Sequence, residues 1–248
     1  IGAPNAGKST LVNSLVGAKV TIVSRKVQTT RVPIRGIAMH GKSQLVFVDT
    51  PGIFSPKRRL DKAMVAAAWT GAGDADSVVV IIDAAKGVDE EVEPILDKLA
   101  TAPANRVLVL NKIDRVTDKE RLLRLASMLS ERLAFKRVFM ISALSGDGVK
   151  ELKAYLADTA PLGPWLYPED ELSNVPLRML AAEVTREKIY DNLHEELPYQ
   201  STVETESWKA LKDGSVRIEQ TIYVTRDSQK SIVLGKGGAL AAMAPAFR

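Results

Sequence analysis

A glycine-rich run at the start of the chain could bind phosphate. The run fits the pattern G-x-x-x-x-G-K-[ST], and its residues are Gly2, Ala3, Pro4, Asn5, Ala6, Gly7, Lys8 and Ser9, with Thr10 next in the chain. Glycines allow backbone N–H groups to turn inward around an anion, and the N-terminus of the helix that follows adds partial positive charge. Lys8 can reach the β- and γ-phosphates, and the Ser9 hydroxyl can bind Mg²⁺. The run therefore predicts a site for a nucleoside triphosphate.

A carboxylate at the end of an apolar stretch could support the metal ion. Residues 44–48 predict a buried strand, and the chain continues with Asp49, Thr50, Pro51 and Gly52. Asp49 can hold Mg²⁺ through a water molecule, and Gly52 has the backbone freedom to place its N–H against a γ-phosphate. We expect both residues to belong to the triphosphate site.

A third motif predicts which base is bound. The apolar stretch 106–110 predicts a strand that runs into Asn111, Lys112 and, two residues later, Asp114. The Asp114 carboxylate matches the adjacent N1–H and N2–H₂ donors of guanine, whereas adenine would leave it unpaired at a cost of about 1–3 kcal/mol. Asn111 can contact the base edge, and Lys112 can pack its stem over the ring. The motif predicts guanine and argues against a P-loop kinase.

A fourth element completes the set. The predicted strand 137–141 precedes Ser142, Ala143 and Leu144, which are placed to offer a backbone N–H to the guanine O6. The four motifs follow one another in the required chain order, each beside a predicted apolar strand, and coincidence rarely produces such an arrangement. Over residues 1–160 the constellation resembles the translation-factor-like superclass of small GTPases.

That resemblance implies a switch between the phosphate loop and Asp49. In related GTPases a threonine in this stretch completes Mg²⁺ coordination only while the γ-phosphate is present. Thr30 is the expected ligand and Thr29 the alternative, although two adjacent β-branched residues could simply open a strand at 32–39. The expected magnesium site combines Ser9 and Thr30 with Asp49.

The residue after Gly52 bears on hydrolysis. Many signalling GTPases carry a glutamine there that orients the attacking water, whereas this chain has Ile53. We therefore expect slow intrinsic hydrolysis, with Lys8, Thr30 and Gly52 as the catalytic groups. By analogy with GTPases that have a similar loop, Asn5 is a candidate K⁺ ligand; stabilising the loop turn is its alternative role.

The surrounding pattern predicts the elements that position these residues. Strands are predicted at 31–39, 44–49, 77–83, 105–110 and 137–141. Helices are predicted at 9–16, 60–70, 89–101, 118–133 and 147–159. Continuous Val/Ile/Leu strands between helices predict an α/β domain over residues 1–160, with a mostly parallel sheet covered on both faces. Ligands of such sheets bind at the carboxyl ends of the strands.

Proline then marks a boundary. Residues 161–176 contain four prolines and cannot form a helix or a central strand, so they predict a linker. Trp165 and Tyr167 lie inside this stretch and indicate a linker packed on a surface.

Residues 177–248 predict a smaller α+β domain. They read as a helix at 177–197, strands at 201–208 and 215–225, a turn at 212–214, and a helix at 228–234. The loop that follows is Gly235, Lys236, Gly237 and Gly238. This order resembles a KH-type RNA-binding domain, whose G-x-x-G loop brings backbone N–H groups to the sugar–phosphate of single-stranded RNA. An ordinary helix C-cap is the alternative interpretation of the loop.

Composition sets wider bounds. The chain has 46% apolar and 26% charged residues, which is ordinary for a globular protein, and it has no cysteine, which excludes disulfides and cysteine-ligated metals. No 18-residue uncharged apolar run predicts a transmembrane helix. The net charge is +4, but the basic excess lies in residues 1–170 and not in the domain assigned to RNA. Charge alone gives little support to RNA binding.

Both halves together resemble the Era family of ribosome-assembly GTPases. The matching stretches are residues 2–11, 28–31, 49–53, 111–114, 163–170, 195–199 and 232–238. The resemblance implies a monomeric, cytoplasmic protein that binds GTP and GDP with Mg²⁺. It also implies binding to the 3′ end of 16S ribosomal RNA during assembly of the 30S subunit, and a peripheral contact with the inner membrane.

Both ends of the chain depart from the expected pattern. Only Ile1 precedes Gly2, although a phosphate loop normally follows a buried strand, so we expect that strand to lie upstream of this sequence. After Gly238 the family continues with a basic helix and a final strand, whereas this chain continues with residues 239–248, rich in alanine. We therefore expect a truncated KH-type domain at 177–248.

Two other classes of GTPase require features that this sequence does not predict. A GTP-dependent tRNA-modification enzyme would need a catalytic domain with a cysteine, and a membrane-transport GTPase would need transmembrane helices; this sequence predicts neither. The alternative that stays open is a GTPase module whose partner is a protein or a membrane instead of rRNA.

Overall fold

A computed structural model describes residues 1–56, 58–101, 105–193 and 197–234, and these divide into two units. The first unit contains Ile1–Thr21 and Thr30–Asn174. The second contains Ile22–Thr29 and the described residues from Val175 onward. The predicted fold class is confirmed, because the first unit is an α/β domain and the second is a smaller α+β domain.

The described residues of the first unit form five strands and five α-helices. In chain order they are α1 (Lys8–Val16), β1 (Ile34–His40), β2 (Ser43–Asp49), α2 (Arg59–Gly73), β3 (Val78–Asp83), α3 (Glu93–Thr101), β4 (Arg106–Asn111), α4 (Lys119–Arg132), β5 (Arg137–Ile141) and α5 (Val149–Asp158). Strands β3, β4 and β5 form a parallel sheet with β4 in the centre. Strands β1 and β2 form a separate antiparallel hairpin.

The apolar run of β4 explains its central place. All of its residues are buried, which fits a strand covered by helices on both faces. Leu108 and Leu110 pack in a cluster with residues of α3 and α4, whereas Val107 and Val109 pack with residues of α1 and α5. Alternate side chains of a strand point to opposite faces, so one short apolar run holds the two layers of helices together.

The register of the parallel sheet brings the motifs to one edge. Asp83 pairs with Asn111, and Asn111 pairs with Ile141, so β3, β4 and β5 all end at the same level. The residues that follow these strands must therefore lie close to one another. This alignment is the physical reason why motifs far apart in the chain can form one site.

The proline-rich stretch is bound to the β1–β2 hairpin. The Gln44 side-chain carbonyl accepts hydrogen bonds from the backbone N–H groups of Leu166 (2.8 Å) and Tyr167 (3.0 Å), and its amide donates to the Tyr167 carbonyl (2.8 Å). Ile37 N–H donates to the Leu172 carbonyl at 2.9 Å. The stretch is therefore packed along the hairpin, and the first unit extends to Asn174.

The second unit consists of helices around a hairpin. Its elements are α6 (Leu177–Asn192), a 3₁₀ turn (Leu197–Gln200), β6 (Ser201–Ala210), β7 (Val216–Val224) and α7 (Ser228–Leu234). Strands β6 and β7 are antiparallel, and Gly214, at a φ of 83°, completes the turn between them. The helix predicted for 177–197 is too long, because Leu193 already has extended backbone dihedral angles.

Apolar contacts hold α6 on this hairpin. Ile189 of α6 and Leu193, the residue after the helix, pack with Val203 of β6 and Val233 of α7. The Thr185 hydroxyl adds a hydrogen bond of 2.6 Å to Gln220 of β7. The predicted RNA-binding loop 235–238 lies outside the described residues. Within the described ranges, no helix has the length and apolar character needed to cross a membrane.

Replacement of Leu108 tests the two-layer core. Leu108 is 0% exposed, so Leu108→Ala should lower the free energy of unfolding by about 2–5 kcal/mol, since it leaves a cavity between sheet and helices. The matched control is Leu123→Ala on α4, where the side chain is 63% exposed and the change should stay within about 0.5 kcal/mol. Urea denaturation of both variants measures the difference, and equal losses would contradict the assigned core.

Candidate nucleotide-binding site

Close backbone packing shapes the phosphate loop. Gly7 has a φ of 98°, and a Cβ atom there would lie 2.2 Å from the Asn111 amide nitrogen. A Cβ atom on Gly2 would lie 2.4 Å from the Ile81 carbonyl oxygen of β3. Both positions therefore require glycine, for left-handed backbone at Gly7 and for close approach at each. Gly7 is also the N-cap of α1, so the loop leads directly into the positive end of that helix.

Lys8 lies buried inside the loop. Its ammonium group donates to the carbonyl oxygens of Ala3 (2.7 Å) and Gly2 (3.2 Å). Burial lowers the pKa of Lys8 to about 8, while the carboxylates of Asp49 and Glu91 oppose this lowering. An incoming phosphate would supply the counter-charge that this buried cation needs, which fits the predicted contact with β- and γ-phosphates.

Three hydroxyl groups converge on the carboxylate of Asp49. Its Oδ2 atom accepts hydrogen bonds from Ser9 (2.7 Å), Thr21 (2.8 Å) and Thr30 (3.3 Å). Asp49 is 1% exposed; burial raises its pKa, and the hydrogen bonds from Ser9 and Thr21 counteract that effect. The structure thus brings together Ser9, Thr30 and Asp49, the three residues that the sequence predicts around Mg²⁺.

The donor set fits a magnesium ion. Mg²⁺ prefers oxygen ligands, and the Ser9 and Thr30 hydroxyl oxygens lie 3.2 Å apart, near the separation of about 3 Å between adjacent corners of its octahedron. The Oδ1 atom of Asp49 is buried and has no hydrogen-bond partner among the described residues, so it can accept from a metal-bound water. The alternative ligand fits less well, because the Thr29 hydroxyl donates to the Lys26 carbonyl at 2.8 Å.

Thr21 is a member of this cluster that the sequence analysis missed. Its side chain is buried, and its hydroxyl donates a hydrogen bond to Asp49. Thr21 belongs to none of the four motifs. Asn13 of α1 fixes the backbone here, because its Oδ1 atom accepts from the Val20 and Thr21 N–H groups at 2.9 and 3.0 Å. A threonine between two apolar residues gave no signal beyond β propensity.

The stretch after β2 packs against the phosphate loop. A Cβ atom on Gly52 would lie 2.9 Å from the Pro4 Cα atom, so the two backbones approach closely. The next residue, Ile53, is buried in the core, and its N–H donates to the Gly2 carbonyl at 3.1 Å. Thr50 and Pro51 are also buried. The Gly52 backbone therefore lies beside the loop, as the predicted contact with a γ-phosphate requires.

Asn111 braces two loops from inside the protein. Its Nδ2 atom donates to the Ala6 carbonyl at 2.8 Å, and its Oδ1 atom accepts from the Ala143 N–H at 2.9 Å. The side chain is 2% exposed. The sequence predicts a contact of Asn111 with the base edge but does not predict this brace. The two backbone partners, Ala6 and Ala143, are 105 and 32 positions away in the chain.

The remaining base-site residues lie around this brace. Lys112 has left-handed backbone at a φ of 66°, and its ammonium group binds the Asn5 carbonyl (2.5 Å) and the Asp83 carboxylate (2.7 Å). Asp114 is exposed and lies in the 3₁₀ turn Ile113–Arg115. Ser142 is buried and Leu144 is exposed in the turn after β5. The ion pair between Lys112 and Asp83 is a second contact that no motif indicated.

Two family models match separate parts of the chain. The model of the 50S ribosome-binding GTPase family matches residues 1–112, and a KH domain model matches residues 196–242. The chain is 66% identical over 239 residues to GTPase Era of Afipia carboxidovorans. The aligned part covers 96% of this chain and 77% of that relative.

This chain belongs to the Era family of GTPases.

Two solved Era structures share the fold of the family. One is an Era protein in complex with MgGDPNP and nucleotides 1506–1542 of 16S ribosomal RNA, at a TM-score of 0.90 and 34% identity, covering 97% of this chain and 82% of that one. The other is Aquifex aeolicus Era Y63A bound to GDP·AlF₄⁻, also at a TM-score of 0.90 and 34% identity, covering 98% and 83%. The resemblance to the Era family is confirmed, with a G domain followed by a KH domain.

Replacement of Asn111 separates the brace from a direct base contact. Asn111→Ala leaves the Ala6 carbonyl and the Ala143 N–H without their partner, so the free energy of unfolding without nucleotide should fall by about 2–4 kcal/mol. Affinities for GDP and for a GTP analogue should fall together. Chemical denaturation and fluorescent-nucleotide titration measure both effects.

The matched control for this experiment is Asn105→Ala, since Asn105 is exposed. We expect wild-type stability and wild-type nucleotide affinity for it. Weaker guanine binding by Asn111→Ala at unchanged stability would contradict the brace and support the base-edge contact.

Proposed function

We propose that this Era-family GTPase is a GTP-controlled switch that binds the 3′ end of 16S ribosomal RNA and assists assembly of the 30S subunit. The observation that carries the proposal is the Ser9–Thr30–Asp49 cluster, a site suited to Mg²⁺ in which Thr30 lies in the stretch between the phosphate loop and Asp49. The related Era protein bound to MgGDPNP and 16S rRNA supports the assignment of both ligands.

Each proposed catalytic group has a defined task. Lys8 stabilises negative charge on the β- and γ-phosphates, and the Gly52 N–H binds the γ-phosphate. Ser9 and Thr30 hold Mg²⁺ directly, and Asp49 holds it through water. The guanine base is bound by Asp114, with Lys112 packed against the ring, and the phosphates are bound by the loop from Gly2 to Thr10.

Hydrolysis by these groups alone should be slow. Ile53 is buried in the core, where it can neither reach nor hydrogen-bond an attacking water. Another group must stabilise the transition state. Asn5 stands at the exposed side of the phosphate loop with left-handed backbone at a φ of 60°, and its carbonyl is held by Lys112. We propose that its side-chain oxygen helps to bind K⁺ beside the phosphates.

The second unit is the part of the protein proposed to bind RNA. Helix α6, the β6–β7 hairpin and α7 precede the G-x-x-G residues 235–238 in the order of a KH domain. Residues 171–248 contain slightly more acidic than basic residues, so recognition should depend on backbone N–H groups and grooves more than on charge.

An oligonucleotide titration tests the RNA assignment. A labelled RNA that matches the 16S rRNA 3′ end is titrated into the protein at fixed salt, once with GDP and once with a non-hydrolysable GTP analogue. We expect tighter binding with the analogue. Placing acidic residues at Lys236 and Gly237 should abolish this binding, because negative charge would repel the RNA backbone.

A charge-reversal control in the first unit guards against a general electrostatic effect. Lys150→Glu lies on an exposed position of α5 in the first unit and should leave RNA affinity unchanged. Weak binding that ignores both the nucleotide and the loop variants would overturn the RNA assignment and favour a protein or membrane partner.

The K⁺ proposal has its own test. Asn5→Gly removes the side chain at no backbone cost, because glycine adopts a φ of 60° freely. We expect GTP hydrolysis by the wild type to be faster in KCl than in NaCl, and the difference to vanish in Asn5→Gly while GDP affinity stays the same. Equal rates of the wild type in both salts would contradict a K⁺ site.

A further inference from the structure

The stretch between two Asp49-bound threonines belongs to a different unit from the threonines themselves. Thr21 and Thr30 both donate hydrogen bonds to the Asp49 carboxylate, so the two ends of the intervening stretch are fixed at the candidate magnesium site. Residues Ile22–Thr29 nevertheless lie in the second unit, together with α6. We call these eight residues the switch segment.

Helix α6 binds the backbone of the switch segment at both ends. The Glu187 carboxylate accepts a hydrogen bond of 2.9 Å from the Val23 N–H, near the beginning of the segment. The Arg186 guanidinium donates a hydrogen bond of 2.5 Å to the Thr29 carbonyl, at its end. Both helix side chains are buried. Two consecutive residues of one helix thus fix where the segment starts and stops.

The middle of the segment binds the end of the same helix. The Lys26 ammonium group donates to the carbonyl oxygens of Tyr190 and Leu193, in the last turn of α6 and just beyond it. Such carbonyls have no partner within a helix, and a cation beside them is favourable because of the helix dipole. The Tyr190 hydroxyl in turn donates to the Gln28 carbonyl at 3.4 Å.

Protein stability alone does not explain why a buried arginine occupies position 186. The residue is 3% exposed and is held by Glu183, whose carboxylate accepts from its Nε atom at 2.9 Å. Its Nη1 atom has no hydrogen-bond partner among the described residues. Burial of such a cation costs free energy that a well-packed apolar side chain would not, so a stable core does not require arginine here. Arg186 also lies over the Tyr190 ring, 5.2 Å from its centroid, and its contact outside α6 is the hydrogen bond to the Thr29 carbonyl.

We propose that Arg186, assisted by Lys26, is a positioning residue for the magnesium ligand Thr30. By holding the Thr29 carbonyl, Arg186 fixes the peptide unit that leads into Thr30, whose hydroxyl lies 3.2 Å from that of Ser9. The inference rests on the proposed role of Thr30. It makes affinity for Mg²⁺ and a nucleoside triphosphate depend on Arg186 and Lys26, and by linkage the bound triphosphate must stabilise the contact between Arg186 and Thr29.

The test compares nucleotides that differ only in their need for Thr30. Dissociation constants are measured for fluorescent GDP and a fluorescent non-hydrolysable GTP analogue with Arg186→Met and Lys26→Met, in a titration of Mg²⁺. We expect affinity for the analogue to fall about tenfold, within the usual range for coupled sites, and affinity for GDP to stay within about twofold. Arg178→Met, on an exposed position of α6, is the matched control and should bind both nucleotides like the wild type.

The outcomes separate positioning from structural support. Equal losses for GDP and the analogue, or no loss for either, would overturn the inference. If Arg186→Met fails to fold, Lys26→Met decides, because Lys26 is only partly buried. Thr30→Ala tests separately whether Thr30 is a magnesium ligand and whether Arg186 positions it. If this variant leaves the Mg²⁺ dependence of analogue binding unchanged, the proposed role of Thr30 is wrong. If it abolishes that dependence while Arg186→Met and Lys26→Met have no effect, only the positioning role fails.

Discussion

The buried carboxylate of Asp49 organises the first unit. A carboxylate out of water is costly, and this one is kept in place by hydroxyl groups from the phosphate-loop helix and from both sides of the switch segment. Two of these hydroxyls, those of Ser9 and Thr30, also define the place where a hard cation would fit. The unfavourable burial and the candidate magnesium site therefore have one origin, and a change at Asp49 would disturb the loop and the switch together.

The phosphate loop is held from two further directions. Asn111 binds it from the centre of the parallel sheet, and Lys112 ties its outer part to Asp83. The glycines at positions 2 and 7 are required because these supports approach so closely that a β-carbon has no room. These contacts within the protein constrain the shape of the loop, and a constrained loop loses less entropy when it binds a ligand.

The sequence predicted the fold and the residues of the candidate magnesium cluster for two different reasons. Asn111 and Ser142 lie at the ends of adjacent strands of the parallel sheet, so they had to meet at one edge. Ser9, Thr30 and Asp49 were placed together by the order of their motifs and the resemblance to GTPases, since β2 lies outside that sheet. Thr21, the brace made by Asn111 and the pairing of Lys112 with Asp83 could not be predicted, because each depends on a contact with a residue far along the chain. The same is true of the switch segment, whose assignment to the second unit follows from side chains of α6 and from no pattern of its own.

The discontinuous second unit has a consequence for synthesis of the protein. Thr29 and its partner Arg186 are 157 positions apart, so the switch segment leaves the ribosome long before the helix that binds it. At about 5–20 residues per second, the delay is on the order of ten seconds or more. Throughout that time the parallel sheet can form while the segment stays unpaired. The contact between Thr29 and Arg186 can therefore form only after α6 has been synthesised, whereas the residues of the parallel sheet are available earlier.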